Sequence, residues 1–171
     1  MKKSLDEVAV DTFGGDVLAG AFSFYIRALD FWVTRELERR MAHLPIARGK
    51  GKITAILVID RSPGITPSEI AALLMRDRPA TGRMLDEMVK HGLLSRERMA
   101  EDQRATGLFI TPEGHRVADE IRSVIQGQED EFYDFIPEGE RAELLRLLRS
   151  AYEGFQQKVR ETGAPPLKDK T

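Results

Sequence analysis

Three arginines, Arg76, Arg78 and Arg83, crowd the stretch RDRPATGRMLDEMVKHGLLSR (76–96) of a chain whose formal net charge is −2. A guanidinium is a rigid fork of N–H donors that grips two acceptors at once, on a carboxylate, a phosphate or the O6/N7 edge of a guanine. Upstream, Thr66 and Ser68 place hydroxyls at the start of an apolar-periodic run; downstream, Arg96, Arg98, Asp102 and Arg104 surround a polar turn. This is chemistry for holding anions. Chemistry for breaking bonds is harder to find. The histidines His43, His91 and His115 are far apart and lie in no triad or metal motif, and His115 with Asp119 reads as a solvated helix face. Gly14-Gly15 and Gly49-Lys50-Gly51 lack the spacing of a phosphate-cradling loop. There is no cysteine, hence no thiolate, disulfide or thiol sensor. No catalytic residue, metal site or cofactor is expected.

The elements that must carry these groups follow from periodicity and caps. Residues 1–15 read as an arm. From Asp16, apolar residues recur at Leu18, Phe22, Tyr25, Leu29, Trp32, Leu37, Met41 and Leu44, which predicts an amphipathic helix of about 28 residues and roughly 40 Å. Such a helix outruns a small domain and is expected to pack against a second chain. KITAILVID (52–60) fits a buried helix and, by its β-branched run, a strand. Thr66-Pro67-Ser68-Glu69 is a capping box with proline at the first helical position, and Ile70, Leu73 and Leu74 are its expected buried face. A second short helix starts at Pro79, buries Met84, Leu85 and Met88, and stops at Gly92. Two short helices joined by a tight turn form a helix-turn-helix. The segments LLSRERM and LFIT then predict a β-hairpin, which makes the unit a winged helix. Thr111-Pro112-Glu113 caps another long helix, and a last one carries Leu144, Leu148, Ala151 and Phe155.

On the second short helix Arg83 falls near the centre of the face opposite Met84, Leu85 and Met88, flanked by Pro79, Gly82, Asp86 and Lys90. That makes Arg83 the best base-reading candidate, worth ~1–3 kcal/mol of discrimination if bidentate to guanine. Arg76 and Arg78, at the turn, suit phosphate. Thr81 leans toward the apolar side. Gly82 costs its helix about 1 kcal/mol relative to alanine; it either permits close approach or is a tolerated weak residue. Thr66 and Ser68 are phosphate donors or, for Thr66, a plain cap. Across 76–104 the cations barely outnumber the acids, so any affinity must depend on where the cations point.

The run from about Ile65 to Val117 resembles the winged-helix core of the MarR (multiple antibiotic resistance regulator) family. The matching segments are ITPSEIAALL, RPATGRMLDEMVKHGLL, the wing turn EDQR and ITPEGH, in order and spacing. The resemblance implies a mainly α fold with a small β-hairpin wing, flanked by N- and C-terminal dimerisation helices, and it makes KITAILVID a helix. It further implies a homodimeric transcription regulator, typically a repressor, reading a pseudo-palindromic operator and released by a small-molecule effector such as an aromatic acid or an acyl-CoA thioester. The expected DNA-binding residues are Thr66, Ser68, Arg76, Arg78, Thr81, Gly82, Arg83, Arg98, Asp102 and Arg104, with Arg104 entering the minor groove and Asp102 shaping the wing. Arg96 or Arg98 is expected to pair with Asp102. Two positions depart from the family pattern: Gly82 stands where Thr, Val or Ser is commoner, and Gln103 where a further Arg is. For the effector, Tyr25, Arg27, Trp32, Arg35 and His43 are the candidates, with Arg39, Arg40, Arg48 and Lys50 as a cradle for a nucleotide tail.

The expected organisation is an arm over 1–15, a helical dimerisation region over 16–48 and 112–161, a winged helix-turn-helix over 50–111, and a flexible tail over 162–171. With 42% hydrophobic and 32% charged residues, no apolar leader and no long uncharged apolar window, a cytoplasmic, nucleoid-associated protein is expected. The alternative to a DNA reader is a winged-helix adaptor that binds protein only.

Overall fold

The computed structural model describes residues 20–44, 46, 51–99 and 106–162. The chain divides into two compact units, 1–39 and 40–171. The expected arm lies outside the described residues, as do the tail beyond Thr162 and the wing tip with Asp102, Gln103 and Arg104.

The described part of the first unit is helix α1 (Phe22–Arg40), none of whose residues is buried. Phe22, Tyr25, Ile26, Leu29 and Trp32 form an exposed apolar stripe at helical steps of three and four. The helix is shorter than its sequence pattern suggests. After Arg40 residues 41–44 turn, because Met41, Leu44 and Ile46 sink into the core of the second unit. Met41 and Leu44 continue the stripe in spacing but belong to a different core. The start expected at Asp16 lies outside the described residues.

In the second unit, α2 (Lys52–Arg61) follows Gly51, which caps it at φ 100, a conformation glycine adopts without strain. Ala55, Ile56 and Ile59 are its buried face, so the ambiguous apolar run is a helix, as the resemblance implied. Helix α3 (Pro67–Leu73) has the expected capping box: the Thr66 side chain accepts from the Glu69 N–H, and the Glu69 carboxylate accepts from the Thr66 N–H. Its buried face is Ile70 and Ala71; Leu73, expected inside, is 48% exposed. The reason is the early end of α3. Arg76 N–H reaches back to Ala71 O (3.0 Å) and Met75 takes the left-handed conformation (φ 51), so the chain swings away before a third apolar row forms.

Helix α4 (Arg78–Lys90) starts one residue before Pro79, because the Asp77 carboxylate accepts from Ala80 N–H (2.8 Å) and is its N-cap. It buries Thr81, Met84, Leu85 and Met88. Gly92 (φ 71) ends it with the paired bonds Gly92 N–H to Val89 O (2.9 Å) and Leu93 N–H to Met88 O (3.0 Å). Strands β1 (Leu94–Arg98) and β2 (Thr106–Ile110) pair antiparallel from Leu94–Ile110 to Arg98–Thr106, and Ile65 bridges to Leu108. Helix α5 (Pro112–Glu131) is capped by Thr111, whose hydroxyl accepts from Gly114 N–H and donates to Gly92 O (2.6 Å). Gly114 is needed there: a Cβ would lie 2.1 Å from Leu93 O.

The core joins Ile56 and Ile59 of α2, Ile70 of α3, Leu85 and Met88 of α4, Leu108 of β2, and Val117 and Ile121 of α5. Helix α6 (Glu138–Thr162) buries none of its residues. Leu145, Leu148, Tyr152, Phe155 and Val159 are exposed along it. No helix among the described residues is long and apolar enough to cross a membrane.

Candidate nucleic-acid interface

Helix α4 is held by its apolar face and presents the other. On that face Arg78, Arg83 and Lys90 are exposed and make no ion pair among the described residues. The acids beside them are occupied. Asp77 is spent as the N-cap. Asp86 binds Arg96 of β1 at 2.7 Å, and Glu87 binds Lys52 of α2 at 2.7 Å. Lys52 donates a hydrogen bond to Glu87 and attracts it by charge, which together hold that carboxyl below its ordinary pKa range. A near-neutral sequence therefore becomes a locally positive face, because its acids are tied inward or sideways and its cations are not. The helix N-terminus, with Arg78 in its first turn, adds the positive end of the dipole.

Gly82 sits on this face with nothing within 4 Å of where a Cβ would be. No packing inside the protein requires a glycine there. Ser68 is exposed at the start of α3. Arg98 is exposed at the mouth of the hairpin, opposite Thr106. Asp102 and Arg104 lie outside the described residues.

Three expected DNA contacts are placed otherwise. Thr81 is 0% exposed, and its hydroxyl, turned into the core, has no hydrogen-bond partner among the described residues; the lean toward the apolar side is complete. The Thr66 hydroxyl donates to Glu69 (2.7 Å) and accepts from its N–H (3.3 Å), so it is committed to the cap. The Thr66 N–H also donates to Glu69, and these bonds keep its carboxyl below the usual range. Arg76 turns its guanidinium inward, to the Met84 sulfur (3.9 Å) and toward Gly51, and braces α4 against the start of α2. Arg96, with Arg98 one of two candidates to pair with wing Asp102, pairs with Asp86 at 2.7 Å. Lys52 and Asp77 carry no signal of their site roles in local periodicity: Lys52 meets Glu87 only through the tertiary fold, whereas the Asp77-x-Pro79 spacing is a cap-and-proline signature legible in retrospect.

Of the effector candidates, Tyr25, Arg27, Trp32 and Arg35 are exposed on α1. His43 belongs to the second unit, where its Nε2 lies 2.5 Å from Glu120 Oε1. That nitrogen faces a carboxylate already and is no free partner for an anion. Arg40 likewise binds Glu131 (3.0 Å) and Arg39 binds Glu36 (2.7 Å), while Arg48 and Lys50 lie outside the described residues. No cluster of three or more potential metal ligands occurs among the described residues.

Comparison with known proteins agrees with this geometry. Residues 52–106, which span α2 to the start of β2, match the MarR family. A protein of Thauera aromatica named as a transcriptional regulator for the hcr operon is 24% identical over 79% of this chain and 81% of its own. The HTH-type transcriptional regulator BilQ of Clostridium symbiosum is 24% identical over 58% of this chain and 69% of its own. Among solved structures, MarR superposes with a TM-score of 0.70 at 24% identity, covering 84% of this chain and 94% of that one. The transcriptional repressor CouR bound to a 23-mer DNA duplex superposes at 0.71 with 23% identity, over 79% of this chain and 94% of that one. With the family match falling on the winged helix and the fold shared along most of the chain, residues 52–106 form a winged helix similar to that of the MarR family, within a chain that has the fold of MarR.

Proposed function

We propose that the protein is a cytoplasmic homodimeric repressor that reads a pseudo-palindromic operator through α4 and is released by a small aromatic acid. The observation that carries the DNA-reading part is the free set Arg78, Arg83 and Lys90 beside a glycine with open space above it. Arg83 is the base reader of this set, Arg78 and Ser68 are phosphate contacts, and Arg98 and Arg104 extend the grip toward the minor groove, with Asp102 shaping the wing.

Support for the dimer comes from the apolar stripes of α1 and α6, whose side chains are exposed among the described residues. Helix α6, 25 residues long, would expose too much contiguous apolar surface for a lone protomer. A second copy buries both stripes under a two-fold axis, and two-fold symmetry is what pairs two α4 helices with two half-sites one DNA turn apart. Repression is supported by the description of CouR as a repressor. The aromatic acid is favoured over an acyl-CoA thioester because Arg39 and Arg40 already hold carboxylates, whereas Tyr25, Arg27, Trp32 and Arg35 interleave rings and cations on exposed α1. The effector acts by binding the DNA-competent and incompetent forms unequally.

A gel-shift titration tests the reading, using duplexes enriched from a random pool, nonspecific competitor and two salt concentrations. The expected result is a discrete competitor-resistant band that weakens steeply with salt and disappears for Arg83→Ala. Enrichment of no sequence, or equal binding by Arg83→Ala, favours the protein-binding adaptor.

A further inference from the structure

We propose that Lys52, on α2 rather than on the exposed face of α4, is a positioning residue for DNA reading: it holds Glu87 and thereby leaves Arg83 unmasked. The inference rests on the assignment of α4 as the DNA-reading helix.

Residues three and four apart on a helix are surface neighbours, and opposite charges at those spacings pair. Arg83 has acids at both, Asp86 and Glu87. Left to the helix alone, one of them would close on the guanidinium and compete with any guanine. Neither does. Asp86 is drawn to Arg96 and Glu87 to Lys52, each at 2.7 Å, and Arg83 makes no ion pair among the described residues.

Lys52 is the more telling of the two cations, because its position is otherwise unfavourable. It is the first residue of α2, where the helix dipole repels a cation, and its side chain is only 10% exposed. A buried ammonium at the wrong helix end is retained only with a close anionic partner. Glu87 supplies one; it is 47% exposed and, without Lys52, keeps only the longer approach of His91 (4.0 Å) among the described residues. Its depressed pKa, caused first by the Lys52 hydrogen bond, keeps it anionic. An anionic Glu87 without Lys52 sits one turn from Arg83 and repels phosphate as well.

The test measures affinity for a duplex enriched from a random pool by the wild-type protein, beside an unrelated duplex, with melting curves for every variant. Lys52→Met is expected to weaken binding to the enriched duplex by about tenfold, comparable to one silenced base contact. Lys52→Met with Glu87→Gln is expected to recover most of that loss, since the masking carboxylate is gone; a loss due to disordered packing is not recovered by this change. Lys52→Arg keeps its hold on Glu87 and keeps the affinity. Glu87→Gln alone stays within about twofold of wild type, because Lys52 already neutralises the acid; this variant decides the matter even if Lys52→Met does not fold. Unaltered affinity for folded Lys52→Met, no recovery in the double variant, or a large gain for Glu87→Gln alone each overturns the inference. Arg83→Ala run in parallel separates the two levels. If it retains preference for the enriched duplex, or if nothing is enriched, the DNA-reading assignment falls and the inference with it; if it loses that preference while Lys52→Met does not, only the inference falls.

Discussion

Replacing Gly82 by alanine asks why a helix meant to be rigid contains its weakest non-proline former. Glycine in a helix interior is less favourable than alanine by about 0.8–1.0 kcal/mol, mostly through the entropy it retains when unfolded. Normally some of that gain is cancelled by crowding of the new methyl. Here nothing lies within 4 Å of the place that methyl would take, so the full difference should be realised in the free protein. For a chain of this size about 1 kcal/mol corresponds to a rise of roughly 2–4 °C in melting temperature. Protomer concentration must be matched, because a dimer's midpoint depends on it. The same variant is expected to bind the enriched duplex more weakly, since the methyl projects from the face that carries Arg83. Stability and DNA affinity thus move in opposite directions. A variant that melts at or below the wild-type temperature refutes the open placement of Gly82. One that melts higher and binds DNA as well or better shows that the glycine provides no clearance.

Thr81→Val removes a buried hydroxyl that has no partner among the described residues while keeping its shape, and is expected to stabilise by about 1 kcal/mol in urea unfolding, with the denaturant slope unchanged. Gly114→Ala forces a methyl onto Leu93 O; a loss of about 2–4 kcal/mol, or failure to fold, is expected in the same assay. Acid should erode the outer surface of α5: Glu113 is held below its ordinary pKa chiefly by Arg116, and Glu120 chiefly by His43. Depressed carboxyls contribute stability that is fully present above the unfolded-state pKa and lost as pH falls through the folded one. Melting temperature is therefore expected to drop below about pH 4.5, and Glu113→Gln with Glu120→Gln to flatten that drop; an unchanged profile contradicts it.

What was legible in the sequence is what local chemistry specifies. The Thr66–Glu69 box, the Thr111 cap and the glycine stop at Gly92 each depend on residues within a few positions of one another, and each forms. The apolar periodicity also found Met84, Leu85 and Met88. It misled where spacing alone was followed across a change of core, as at Met41 and Leu44, and where a helix ended early, as at Leu73. The pairings that set the charge of the reading face were not legible at all. Lys52 and Glu87 are 35 positions apart, and nothing in either neighbourhood announces the other. Charge counted along the chain therefore understated what the folded face presents; the cap reading of Thr66 and the apolar lean of Thr81 are what the fold shows, whereas Arg76, read as a phosphate contact by residue type, turns inward.

The joint at Gly114 has a mechanical consequence. The backbone of α5 rests against Leu93 O with no side chain between, and the Thr111 hydroxyl spans Gly92 O, Leu93 O and the Gly114 N–H. The first turn of α5 is thus joined to the backbone that ends α4 through main-chain atoms and one hydroxyl, not through a layer of packed side chains. Helix α5 has 20 residues, about 30 Å. A shift of about 2.5 Å at its far end would be a tilt of roughly 5° over that length. Such a tilt would be met first by the Gly92 and Leu93 main chain, before any side chain of α4.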